Sequence, residues 1–215
     1  MPAGICPVMA TGSRNIFRGL RRRWRSWFAQ QFLVASIGPG CDLRPGCVIE
    51  YGKPQPGHYY RGVVLGREVV LYPGVVLTLD AISPESGITI GDGTWINRNT
   101  LIYGGGGVTI GKDVLIAPAV IIWSGGHQID ANLGPVKGND FVLAPIIIED
   151  GAWIGSGAVI LQGLRIGTGA VIGGGSVVTH DIPPNSIAVG NPAKVIRMRC
   201  QAKAEPESAG GGSRG

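Results

Sequence analysis

An aliphatic residue recurs at every sixth position through most of the chain. From Ile148 the series is unbroken: Ile148, Ile154, Ile160, Ile166, Ile172 and Val178. Upstream it falls into triplets at 37, 43, 49; then 65, 71, 77; then 90, 96, 102; then 110, 116, 122, and all twelve positions are Ile or Leu. Four residues after each later ladder position stand Ala152, Ala158, Leu164, Ala170, Ser176 and Ile182, most of them small. Six residues suit one short strand and a turn, and three such sides close a triangular coil. Stacked coils bury the aliphatic ladder and hydrogen-bond to their neighbours. The spacing therefore predicts an all-β solenoid, a parallel β-helix of about six triangular coils over residues 37–183.

Breaks in the period carry information as well. Extra residues fall between 49 and 65, 77 and 90, 102 and 110, and 122 and 148, always after the third hexad of a triplet. All four should leave the prism at one corner, and loops gathered on one edge of a rigid scaffold are where function is expected. The longest, about 123–147, is the candidate catalytic loop.

Composition fits this architecture. Glycine numbers 37 of 215 residues, and charged residues make up only 15%. Glycine suits tight corners, and without a three-residue period it excludes collagen. The net charge of +5 is local, because six arginines lie between Arg14 and Arg25; setting them aside leaves the remainder at about −1. No broad nucleic-acid surface is implied. The four cysteines, Cys6, Cys41, Cys47 and Cys200, show no metal-binding spacing. Cys41 and Cys47 occupy equivalent positions in consecutive hexads and read as small buried filler. No apolar run of spanning length and no leader pattern occurs, which predicts a cytoplasmic protein.

The ends depart from the repeat. Residues 1–36 comprise a loose start and a basic stretch in which Phe17, Leu20, Trp24 and Trp27 or Phe28 follow helical spacing among the arginines. Two readings stay open for residues 14–33: a helix packed on the solenoid's open end or on a neighbouring subunit, or an interfacial helix resting on the anionic inner face of a membrane. Residues 201–215, rich in Gly, Ala, Ser and Glu, predict a disordered tail.

Candidate chemistry lies in the insertions. Of the histidines His58, His127 and His180, His127 stands in Ser124-Gly125-Gly126-His127-Gln128-Ile129-Asp130 at the start of the longest insertion. A histidine titrates near neutrality and can accept a hydroxyl or amine proton. Taken alone, a backbone-bonded loop histidine is an equal reading. His58, beside Tyr59 and Tyr60, reads as a loop residue with substrate contact as its rival, and His180 reads as a corner residue without a catalytic role.

Several motifs occur in a fixed order. Ile90-Gly91-Asp92 leads to Trp95-Ile96-Asn97-Arg98-Asn99-Thr100, and ungapped spacing reaches Gly126-His127-Gln128-Ile129-Asp130. Then come Gly151-Ala152-Trp153-Ile154-Gly155-Ser156, Gly173-Gly174-Gly175-Ser176-Val177-Val178-Thr179, and Gly190-Asn191-Pro192-Ala193-Lys194-Val195-Ile196-Arg197. Over roughly residues 60–198 the chain resembles the hexapeptide-repeat acyltransferases, most closely their maltose, galactoside and nodulation-factor O-acetyltransferase branch.

That resemblance implies a left-handed β-helix, against the usual right-handed crossover rule, assembled as a homotrimer. It also implies acetyl-CoA as co-substrate, lying between neighbouring subunits, and no metal. His127 matches the general base, and Asn97 the residue that supports the acceptor or the oxyanion. Trp153, Ser156, Gly174, Thr179 and Lys194 match coenzyme contacts, with residues 184–200 as a coenzyme-contacting segment. Corner geometry for the glycines and seam packing for Trp153 are the plainer readings beside these.

Departures bear on the acceptor. Where the sugar-binding relatives carry acidic residues after the Asn segment, this chain has Gly104-Gly105-Gly106-Gly107, and Gln128 replaces the usual Pro after the histidine. The expected activity is acetyl transfer to a sugar hydroxyl in polysaccharide or glycan modification, other than on a simple galactoside or maltose. The rivals are amino-sugar N-acetylation and a purely structural solenoid. A zinc carbonic anhydrase of the same fold is disfavoured, because no histidine pair has ligand spacing.

Overall fold

In the computed structural model, which describes residues 34–52, 61–80, 82–130 and 134–199, each ladder residue lies in a short strand and points inward. The strands visit three sheets in rotation. The first sheet takes Val34–Ile37, Gly62–Leu65, Gly87–Ile90, Val108–Ile110, Ile146–Ile148 and Arg165–Ile166. The second receives Asp42–Leu43, Val70–Leu71, Trp95–Ile96, Leu115–Ile116, Trp153–Ile154 and Val171–Ile172. The third receives Val48–Tyr51, Val76–Leu79, Leu101–Tyr103, Ile121–Trp123, Val159–Ile160 and Val177–Val178. Every pairing among these strands is parallel, and apart from a register shift between Val34 and Ser36 the ladder residues stack directly, as in Ile96 beside Ile116 beside Ile154 beside Ile172.

Burial follows the period. Leu71, Leu77, Ile96, Ile102, Ile122, Ile148, Ile154 and Ile160 are wholly buried. Ala152, Ala158 and Ala170 fill the interior beside them, and the threonine hydroxyls that enter it find carbonyls of the next coil. Thr94 Oγ1 donates to Gly111 O at 2.8 Å, and Thr100 Oγ1 to Ala117 O at 3.2 Å. A small side chain there leaves room for the bulky ladder, and a hydroxyl is tolerated only with its hydrogen bond made. Cys47 is buried and reaches the Tyr72 carbonyl at 3.1 Å, a packing role.

The prism's outward faces differ. The first sheet exposes Thr89, Thr109 and Arg165. The second stacks Val70, Trp95, Leu115, Trp153 and Val171 in register, with Trp95 50% and Trp153 52% exposed. Beyond the hexads the second sheet continues: Ser186–Val189 pairs parallel to Val171–Ile172, and Lys194–Met198 returns antiparallel along it. Residues 14–33 and 201–215, and His58, lie outside the described residues. Among those described, no helix is long and apolar enough to cross a membrane.

Candidate active site

All four insertions connect a third-sheet strand to the next first-sheet strand, so they leave the solenoid at a single edge. The longest forms an arm. Gly125–His127 pairs antiparallel with Phe141–Leu143, and a short 3₁₀ turn, Val136–Gly138, lies between them. Gln128 N–H donates to Asp140 O at 2.9 Å, and Asn139 Nδ2 donates to Gln128 O at 2.7 Å, closing the arm just past the histidine. His127 is exposed at the end of its strand, directly across from Phe141.

Aromatic rings support the base of the arm. Tyr103 and Trp123, neighbours on consecutive third-sheet strands, stack with centroids 4.4 Å apart and planes at 21°. Phe141 stands edge-on to Tyr103 at 6.4 Å and edge-on to His127 at 5.0 Å. Burial, then the charge and hydrogen bond of Asp80, push the Tyr103 phenol well above its ordinary value, so it remains a protonated donor. The glycines that follow are tightly enclosed. A Cβ on Gly105 would overlap the Tyr103 hydroxyl, and one on Gly104 would meet Leu79 and Ile88. The position where sugar-binding relatives were expected to carry an acid is thus filled by the Tyr103 ring.

A second edge, between the second and third sheets, gathers other predicted site residues. Asn97 follows Trp95–Ile96, Ser156 follows Trp153–Ile154, and Gly174 follows Val171–Ile172. Hydrogen bonds tie this column together: Asn97 N–H to Ile116 O at 2.9 Å, Ala117 N–H to Ile154 O at 2.9 Å, and Gly175 N–H to Ser156 O at 2.8 Å. Asn97 Oδ1 accepts from the Arg98 N–H at 2.8 Å. Ser156 and Gly174 are exposed, and a Cβ on Gly174 would sit 3.2 Å from the Ser156 carbonyl oxygen. The bare backbone there, flanked by the Trp153 indole, can take an extended ligand that pairs with peptide groups, as a pantetheine arm does.

The remaining predicted residues lie elsewhere. Thr179 follows Val177–Val178, at the edge from which the His127 arm departs, and its Oγ1 lies 2.8 Å from His180 Nδ1. Lys194 is exposed at the start of the last strand, opposite Val189. One chain therefore brings Asn97, Trp153, Ser156 and Gly174 together, and holds His127 at the other border of the third sheet. Sequence reasoning missed Tyr103, Trp123 and Phe141. The first two were open to it, since both stand immediately after a ladder residue on consecutive third-sheet strands, where parallel pairing stacks them. Among the described residues, no group of three or more His, Cys, Asp or Glu could hold a metal ion.

Known proteins are similar to this chain in sequence and fold. The family model described as bacterial transferase hexapeptide (six repeats) matches residues 145–180. The galactoside O-acetyltransferase of Escherichia coli is 46% identical over 112 residues, 52% of this chain and 54% of that protein. The chain spans about half the length of the curated relatives it matches. A hexapeptide-repeat acetyltransferase from Vibrio cholerae, solved with acetyl coenzyme A, superposes with a TM-score of 0.56 at 34% identity, covering 64% of this chain and 71% of that one. The AntD N-acyltransferase of Bacillus cereus, solved with dTDP-4-amino-4,6-dideoxyglucose and coenzyme A, superposes with a TM-score of 0.66. It covers 83% of this chain and 90% of its own, and at 23% identity that likeness speaks for the fold alone. By its repeat, its three parallel sheets and these likenesses, the chain belongs to the hexapeptide-repeat acyltransferase family.

Proposed function

We propose that this protein transfers an acetyl group from acetyl-CoA to a sugar hydroxyl in polysaccharide or glycan modification. The observation that carries the reading is His127, exposed on an arm that projects from the edge where every insertion gathers. In this reading the imidazole takes the hydroxyl proton as the oxygen attacks the thioester carbonyl. The carbon–sulfur bond then breaks, and the imidazolium returns the proton to the departing thiolate. Asn97 or a backbone amide stabilises the oxyanion. Trp153, Ser156, Gly174 and Thr179 line the coenzyme's path, and Lys194 meets its phosphates.

Separation of the two edges favours a homotrimer. Asn97 and His127 border opposite sides of the third sheet in one chain, so a complete site joins the His127 edge of one subunit to the Asn97 edge of another. The apolar outward stack of Trp95, Leu115 and Trp153 suits such a seam. We further propose that the chain winds left-handed in six coils and works in the cytoplasm. The basic, aromatic segment 14–33 fits a helix packed on the solenoid's open end or on a neighbouring subunit, with a peripheral contact with the inner membrane face as its rival.

The test is incubation of purified protein and acetyl-CoA with hydroxyl-only and amino-bearing glycans. A mass gain of one acetyl group on hydroxyl-only acceptors is the expected result. Gain on amino sugars alone would replace the reading with N-acetylation, and failure to bind coenzyme in calorimetry would leave a structural solenoid.

A further inference from the structure

We infer that the acceptor glycan carries an anionic group, a carboxylate or a phosphate, and that Arg98 receives it beside Asn97. The inference rests on the sugar-acetylating reading and names the class of acceptor that the second edge fits.

The corner between the second and third sheets is an ordered column. Backbone donors step along it from coil to coil: Arg44 N–H to Leu71 O, Tyr72 N–H to Ile96 O, and Asn97 N–H to Ile116 O, each at 2.9 Å. Arg98 is the next residue after Asn97, and Tyr72 and Arg44 lie one and two coils to its N-terminal side. Ser156 and Gly174 stand two and three coils to the other side. At about 4.8 Å per coil, Gly174 is roughly 14 Å from Arg98. A coenzyme that lies along Gly174 and Ser156 with its thioester at Asn97 has its phosphates at the far end. Arg98, Tyr72 and Arg44 then fall to the acceptor.

Charge on this corner is one-sided. Residues 44–47, 72–75, 97–100, 117–120, 155–158 and 173–176 include Arg44 and Arg98 and no acid. The Arg44 guanidinium is already engaged. It pairs with Asp42 at 3.1 Å and lies 4.0 Å over the Tyr72 ring, which fixes that aromatic one coil from Asn97. Arg98 is exposed, and the ion pairs among the described residues take up Arg44, Arg61, Arg67 and Arg165 but not Arg98. Its backbone N–H donates to Asn97 Oδ1 at 2.8 Å, so its main chain is tied to the asparagine while the guanidinium donors stay available. A planar fork of donors matches a carboxylate or a phosphate, and an aromatic with a few placed polar groups is the usual lining of a small-molecule site. A neutral acceptor would leave this fork unused. An anionic one makes a charge-assisted pair, with no acid on the corner to oppose it.

The experiment measures acetyl transfer by the full chain to glycans matched except for charge: oligogalacturonates with their methyl esters, and sugar phosphates with the corresponding free sugars. The parent should favour the anionic member of at least one kind of pair by roughly tenfold in kcat/KM, the worth of one charge-assisted contact, and added salt should shrink the margin. The kind of pair that shows it tells a carboxylate from a phosphate. Arg98→Gln should bring the ratio to about one, and Arg98→Lys should keep part of it, because the charge remains and the fork is lost. Tyr72→Ala should slow transfer to both members of the favoured pair alike. The Kd for acetyl-CoA should stay within about twofold in Arg98→Gln, since the coenzyme contacts lie further along the corner. A parent that acetylates the neutral members as well as the anionic ones overturns the inference and leaves the sugar reading standing. A preference that survives Arg98→Gln does the same. Weaker coenzyme binding in Arg98→Gln, with the ratio unchanged, would give the arginine to the coenzyme phosphates instead. Absence of transfer to every glycan of the panel, with coenzyme bound, would refute the sugar reading and the inference with it.

Discussion

Phe141 stands edge-on to the His127 imidazole, with ring centroids 5.0 Å apart and planes at 76°. The two residues are also backbone partners across the arm's antiparallel pair, so the histidine is placed by a ring contact and by a strand register together. An exposed histidine held in this way has a defined direction without being buried, which is what a proton acceptor facing a bulky substrate requires.

Removing the imidazole should abolish the chemistry and spare the fold. His127→Ala is expected to lower turnover by roughly 10²–10⁴-fold, the usual worth of a general base. Thermal unfolding should stay close to that of the parent, because the arm stands outside the aliphatic core. Near-parental turnover in a coupled thiol-release assay would move the base elsewhere.

Filling the second edge should block the coenzyme. A Cβ at Gly174 already sits 3.2 Å from the Ser156 carbonyl oxygen, so Gly174→Trp would cover the exposed backbone beside Trp153. Calorimetry should detect no acetyl-CoA binding to this variant. Lys194→Ala, which removes one exposed cation, should weaken binding by only about 1 kcal/mol, with the loss shrinking as salt rises. Unchanged affinity in Gly174→Trp would remove the coenzyme from this edge.

The acid expected after the Asn segment has no room here. Gly105→Asp would drive its Cβ into the Tyr103 hydroxyl, and overpacking of this kind typically costs about 1–3 kcal/mol. A clear fall in Tm together with reduced kcat is the expected outcome. If the variant instead acetylated a simple galactoside at an undiminished Tm, the aromatic filling of this position would not be what excludes an acid.

Sites shared between chains can be complemented. Sedimentation should give about three times the 22.4 kDa chain mass. Chains carrying His127→Ala and chains carrying Asn97→Ala, each impaired alone, should regain activity when refolded together, because a mixed trimer contains some sites with both parental residues. Mixtures no better than the sum of the two would place the pair within one chain.

A mild acid sensitivity is built into the fifth and sixth rows of the first sheet. Hydrogen bonds from Thr168, and then the Arg165 guanidinium at 2.6 Å, hold the Glu149 carboxyl below its ordinary value. A carboxyl lowered on folding stabilises the protein above the unfolded carboxylate range, and that contribution is lost as pH falls through the folded value. Glu149→Gln should therefore flatten the decline of Tm below about pH 5, with a small effect because the pair faces solvent. A decline identical to the parent's would assign the acid sensitivity to other groups.

The six-residue ladder was sufficient, by itself, for the parallel sheets, the buried Ile and Leu positions and the single edge shared by the insertions. The reason is local. A rung of fixed length leaves only one way for its apolar residue to point inward, and residues added after the third rung must emerge at the same corner each time. The resemblance over roughly residues 60–198 singled out Asn97, Trp153, Ser156 and Gly174, but not their common edge, which depends on how many rungs separate them and on which sheet each follows. The support of the arm needed tertiary structure. Phe141 meets His127 through a hairpin register outside the hexad period, and its ring also stands edge-on to Tyr103 of the preceding coil. Such contacts join residues distant in the chain whose side chains obey no shared repeat. Periodicity specifies the scaffold, whereas the arm that carries the histidine depends on what fills the space around Gly104, Gly105 and Gly106 once the coils have stacked.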